Sequence, residues 1–114
     1  MKKYLIFHIF LLQFSYAGSY AGLLLHGNCT TCHEINTHKS APSLKYIQKV
    51  YKTAFEDKKD FVSYMSNWVE KPNIEGSLMQ DMIEKYELMP ELAYDKDTLN
   101  IIAEYIYETD LDKE

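Results

Sequence analysis

The chain has two cysteines, Cys29 and Cys32, and His33 follows the second of them directly. A disulfide between two such close residues closes so short a loop that it would constrain the unfolded chain very little. Yet a domain drawn from 114 residues buries only a modest core, and domains of that size lean on a disulfide, a metal or a cofactor as a staple. Something other than a disulfide therefore has to hold this fold. The stretch "GNCTTCHEINTHKSAPSL", Gly27 to Leu44, carries both thiols and two of the four histidines, and it is the place to look.

The opening residues do not belong to that domain. Lys2 and Lys3 precede an apolar run from Tyr4 to Phe14, and small residues suited to signal peptidase follow at Ser15-Tyr16-Ala17 and Ser19-Tyr20-Ala21. Charge, short apolar run and small-x-small site, in that order, describe a secretory signal peptide. Residues 1–21 are read as that peptide, cleaved after Ala17 or Ala21, and residues 22–114 as one exported, periplasmic domain. The apolar run falls well short of the roughly twenty residues that a membrane span needs. Membrane contact is expected only if this segment is retained. Of the charged residues, 12 are basic and 17 acidic, every basic residue is Lys, and the net charge is −5. Phosphate backbones are recognised by basic clusters, so nucleic acid is excluded as a partner. A soluble partner with a basic docking face suits such a surface better.

Along the remaining chain apolar residues recur at helical spacing, and no strand alternation appears. Gly18 to Gly27 reads as a short helix with Leu23, Leu24 and Leu25, and the polar stretch from Asn28 to Ser43 reads as loop. Leu44, Ile47, Tyr51 and Phe55 then form a stripe behind Ser43 as N-cap. Phe61, Met65, Trp68 and Val69 form another, which Pro72 ends. Ser77 and Gln80 have capping-box spacing ahead of Leu78, Met79, Met82, Ile83 and Tyr86. Pro90 interrupts the pattern. A closing helix follows, capped by Asp95 or Asp97, with Leu99, Ile102, Ala103 and Ile106 on one face. The expected fold is all-α, with four to five helices.

C-x-x-C-H is the attachment signature of c-type haem. Two thiols at this spacing can add to the two vinyl groups on one edge of the porphyrin, and the next residue's imidazole then lies under the iron. Three other readings compete. A thioredoxin-like site shares C-x-x-C but needs a βαβ context, which the helical pattern does not offer. A zinc site could draw on Cys29, Cys32, His33 and His38, although adjacent residues rarely bind one tetrahedral ion. The plainest reading is a disulfide with an incidental histidine. If haem is bound, the second axial ligand separates electron carriers from ligand-binding haem proteins. Met65, Met79 and Met82 lie on apolar stripes, where methionine usually packs a core. Met89 instead precedes Pro90 in a loop held extended by the pre-proline restriction, and it is the expected distal ligand. Met79 and Met82 stand behind it as fallbacks, and His26 or His38 would give a bis-histidine site.

From Gly27 to the closing helix the residues carry a resemblance. "GNCTTCH" after a short helix, "APSL" soon afterwards, "MP" late in the chain and "LNIIAEYI" at its end resemble the class I cytochromes c, mitochondrial-type and bacterial small soluble. The resemblance implies a cytochrome c-like domain wrapped around one covalently bound haem c. Cys29 and Cys32 would be the thioether cysteines, and His33 and Met89 the axial ligands. Pro42 would lend its carbonyl to the imidazole Nδ1–H, and the first and last helices would cross, pairing Leu24 or Leu25 with Tyr105 or Ile106. Trp68 is a candidate donor to a haem propionate, or else part of the core. The ten tyrosines would line the pocket or fill the core. The function implied is that of a monomeric periplasmic electron carrier, not an enzyme, meeting redox proteins transiently. Lys39, Lys45, Lys49 and Lys52 cluster after the loop and either orient it toward an acidic redox partner or form a solvated face. The alternatives are a haem-based sensor or ligand-binding protein with an open or displaceable distal site, and a small subunit of a larger oxidoreductase.

Overall fold

A computed structural model describes residues 20–113, so nearly all of the segment read as a signal peptide lies outside the described residues. Five α-helices follow one another: α1 (Tyr20–Asn28), α2 (Leu44–Ala54), α3 (Lys58–Glu70), α4 (Gln80–Tyr86) and α5 (Lys96–Glu108), with a 3₁₀ turn at Leu111–Lys113. The described residues are all-helical and contain no strand. Among them no helix is long and apolar enough to cross a membrane.

Side-chain caps set most of the starts. Extended backbone at Ser43 lets its hydroxyl accept from the Tyr46 N–H at 3.2 Å and open α2. Asp57 opens α3, and Asp95 opens α5 by accepting from the Thr98 N–H at 2.9 Å. Each satisfies an amide that the first helical turn leaves without a partner. Two boundaries differ from the sequence reading. The first helix runs one residue beyond Gly27, to Asn28, because the Asn28 side chain donates back to the Leu24 carbonyl at 2.8 Å. The fourth starts at Gln80 and not at Ser77. Ser77 Oγ instead accepts from the Met79 N–H at 3.0 Å, and Gln80 Nε2 donates to the Ser77 and Ile74 carbonyls. The capping-box residues therefore build a tight turn before the helix.

The core gathers on α5, which packs against α3 most extensively and also against α1 and α2. Its Leu99, Ile102, Ala103 and Ile106 are all buried, facing Leu25, Leu44, Ile47, Phe61 and Met65. Burying a Leu, Ile or Phe side chain contributes about 1.5–3 kcal/mol, so this one face carries much of the fold. Where α1 meets α5, a Cβ built on Gly22 would stand 3.1 Å from the Tyr105 hydroxyl. Gly22 is buried there, and the missing side chain is what lets the helices come so near. The helix α4 stands apart: it has no buried residue, and it approaches none of the other helices closely.

Candidate functional site

The loop after α1 begins as one more helical turn. Cys29 N–H donates to the Leu25 carbonyl at 2.8 Å, and His33 N–H donates to the Cys29 carbonyl at 2.8 Å. Residues four apart on such a turn lie one above the other, so Cys29 and His33 share a side. Cys32 lies off that side and is exposed, while Cys29 is half-buried. Burial pushes the Cys29 thiol above its ordinary pKa, and the Cys32 thiol beside it adds to the effect. Both thiols are free.

The loop is then tied to α2. Leu44 N–H donates to the Glu34 carbonyl at 2.8 Å and Lys45 N–H to the Ile35 carbonyl at 3.1 Å. This closure brings the Pro42 carbonyl 2.8 Å from His33 Nδ1. A carbonyl only accepts, so Nδ1 carries the proton and Nε2 keeps its lone pair for another acid. Fixing one ring nitrogen on a backbone carbonyl is how proteins orient a ligating imidazole and raise its basicity.

Cys29, His33 and Pro42 border a cleft of about 110 Å³ that is partly open to solvent. The buried faces of α2, α3 and α5 form much of its wall through Leu44, Ile47, Met65, Leu99 and Ile102. The segment 77–89 supplies Ser77, Met79, Met82, Ile83, Glu87 and Met89. Since α4 meets no other helix and yet borders the same space, the cleft is what lies between α4 and the bundle. A large apolar ring system with a metal at its centre fits this donor set: apolar walls, one imidazole with a free nitrogen, and several thioethers.

Of the residues singled out from the sequence, Cys29, His33, Pro42, Trp68 and Met89 border the cleft together, and Cys32 does not. Met65, Met79 and Met82 border it as well, so methionine content alone does not single out Met89. His26 and His38 are not among the cleft residues, and His38 Nδ1 is taken by the Ser43 N–H at 2.8 Å. Trp68 Nε1–H donates to the Asn73 carbonyl at 3.0 Å, so its donor is used within the chain. Among the described residues no three His, Cys, Asp or Glu side chains gather as a metal-binding group, which leaves the zinc reading without its tetrad. Of the described tyrosines, Tyr51 alone borders the cleft. Its phenol is pushed far above the usual value by burial, with the nearby Tyr64 adding to the effect.

Most of the other phenols staple loops. Tyr64 holds the Gly76 carbonyl at 2.7 Å, Tyr107 holds Glu56 at 3.0 Å, and Tyr94 holds the Asn28 side chain at 3.1 Å. Glu87 is a residue the sequence did not point to. Its φ of 70° and ψ of 176° lie in a region essentially reserved for glycine, and nothing in an acidic side chain announces such a backbone. The chain matches no protein-family model, no curated protein and no solved structure.

Proposed function

We propose that this chain is an exported, monomeric c-type cytochrome that carries single electrons between redox proteins. One haem would occupy the cleft, with thioether bonds from Cys29 and Cys32 and with His33 and Met89 on its iron. The observation that carries this reading is His33: the Pro42 carbonyl orients its ring at 2.8 Å, and it borders an apolar cleft in company with Cys29 and Met89. When bound, the haem supplies one-electron chemistry at an iron whose potential a Met/His pair raises.

The chain's own residues do the rest. The proton on Nδ1 stays shared with Pro42, which presents Nε2 as a lone pair. Leu44, Ile47, Leu99 and Ile102 give the cleft an apolar lining, and a low-polarity surround disfavours a net charge inside it. Cys29, His33, Tyr51 and Glu87 are the ionisable side chains at the cleft. Docking draws on a chain of net charge −5. Three of the four lysines near the loop are engaged: Lys45 pairs with Asp112 at 2.9 Å, Lys39 with Glu34 at 3.6 Å, and Lys52 covers the Tyr107 ring at 5.1 Å. A partner with a basic docking face is therefore favoured over an acidic one.

The test is an absorption spectrum of the chain expressed with export, oxidised and reduced, followed by a pyridine haemochrome assay. A c-type spectrum with the weak sulfur-to-iron band in the oxidised form is expected. A protein that never acquires haem would overturn the proposal, and a haem protein that binds CO rapidly on reduction would replace the carrier by a sensor.

A further inference from the structure

Resting on the haem reading above, we infer that the distal position can be filled by more than one thioether: Met79 or Met82 replaces Met89 through movement of the 77–89 wall. Three methionines of one short segment border the same cleft as His33. Met79 and Met82 are only half-buried, unlike Met65, which is 5% exposed and belongs to the core. Core packing accounts for Met65 fully and for Met79 in part, since Met79 lies against the edge of the core, and it leaves Met82 without a duty of that kind.

The wall that carries them is built to move. The helix α4 has no buried residue and no close helix neighbour, and only Leu78 and Met79 at its start reach the core, so its body is not fixed by interdigitated packing. Two exposed phenol bonds clasp it to the body, from Tyr46 to Asp81 at 3.1 Å and from Tyr86 to the His38 carbonyl at 3.2 Å. Exposed hydrogen bonds of this kind contribute little net stability, because water replaces them. Between α4 and Met89 stands Glu87, whose φ of 70° and ψ of 176° form a backbone that side-chain-bearing residues rarely adopt. A strained junction next to a weakly held helix gives the segment a second arrangement at small cost, which is what a two-state element requires.

The exchange breaks one iron–sulfur bond and forms another. Both ligands are neutral thioethers, so no proton is released and no electron moves. The equilibrium between them is accordingly insensitive to pH, unlike replacement by a lysine or a histidine.

The experiment uses the exported, haem-loaded chain, with haem content established first by haemochrome; absence of haem in the unsubstituted protein defeats the functional reading, not this one. Met89→Leu keeps the apolar bulk of the loop. The expected result is a sulfur-to-iron band that persists in Met89→Leu with the same intensity across neutral pH, and that disappears when Met79 and Met82 are also changed to Leu. In the unsubstituted reduced protein, proton NMR should show two sets of ring-current-shifted thioether methyl signals in exchange. Adding Tyr46→Phe should loosen the clasp and change their ratio. Loss of the band in Met89→Leu alone, or a single methyl set that Tyr46→Phe does not move, overturns the inference.

Discussion

Gln48 uses both hydrogens of its amide. Nε2 donates to the Ile106 carbonyl at 2.7 Å and to the Thr109 carbonyl at 2.8 Å, capping the end of α5 from the side of α2. Carbonyls in the last turn of a helix have no partner of their own, and a half-buried one without a donor loses about 1–3 kcal/mol. Gln48→Leu should therefore destabilise the protein by about 2–4 kcal/mol, counting two carbonyls, as read by urea denaturation. A change below about 0.5 kcal/mol would mean that water substitutes freely there. Nothing in the sequence announces this duty, because a glutamine on a helix is ordinarily a solvated residue and its partners lie near the other end of the chain. The phenols are alike in this respect. Ten tyrosines suggested pocket or core, and only the fold reveals that Tyr64, Tyr94 and Tyr107 tie loops. His33 was more legible, because its neighbours Cys29 and Cys32 announce it, whereas the bond to Pro42 depends on loop closure at Leu44 and Lys45.

Among the helices, α2, α3 and α5 were legible because their apolar residues repeat at helical spacing, and for α2 and α5 the starts carry Ser or Asp; the Asp57 cap of α3 was not read from the sequence. The stripe Leu99, Ile102, Ala103 and Ile106 is buried throughout. The start of α4 was not legible, because Ser77 and Gln80 satisfy local groups equally well in a turn. The cap on α5 has a consequence in acid. The Thr98 backbone N–H holds the Asp95 carboxyl below its ordinary value of 3.8, with the Thr98 hydroxyl adding to the effect. A lowered carboxyl contributes stability that is fully present above 3.8 and is lost as pH falls through the lower, folded value. Amides of the first turn of α5 should therefore open on acidification in this window. Asp95→Asn should keep the cap without the pH dependence, and Asp95→Ala should lose both; an unaltered acid profile in Asp95→Asn would refute the assignment. The α1–α5 crossing offers a second test. With a Cβ at Gly22 already 3.1 Å from Tyr105, Gly22→Leu forces the helices apart and should cost about 1–3 kcal/mol. A Tm equal to that of the parent would show that Tyr105 swings aside.

At the scale of the molecule, the fold has an unequal construction. Helices α1, α2, α3 and α5 share one buried core, while α4 faces that core across the cleft. The sequence indicated that something other than a disulfide must staple the domain, and under the proposed function a haem in the cleft would be that staple. That the cleft lies between α4 and the bundle was not legible, since the stripe of Met79, Met82 and Ile83 looks like any helix face that packs on protein. Apolar faces set apart in this way lose the contacts that would hold α4, and a ligand spanning the cleft restores them. Binding to the folded state alone stabilises it by mass action, and covalent attachment keeps the ligand from leaving. Hydrogen exchange separates the two halves of this construction. In the haem-loaded protein the amides of α4 and α5 should both be protected. In Cys29→Ser/Cys32→Ser, which has no thiol to attach haem, α4 amides should exchange nearly as fast as an unfolded chain does, while the middle of α5 stays the slowest-exchanging part of the molecule. If α4 in that variant is protected as strongly as α5, the cleft needs no occupant to hold its wall, and the staple must be sought elsewhere.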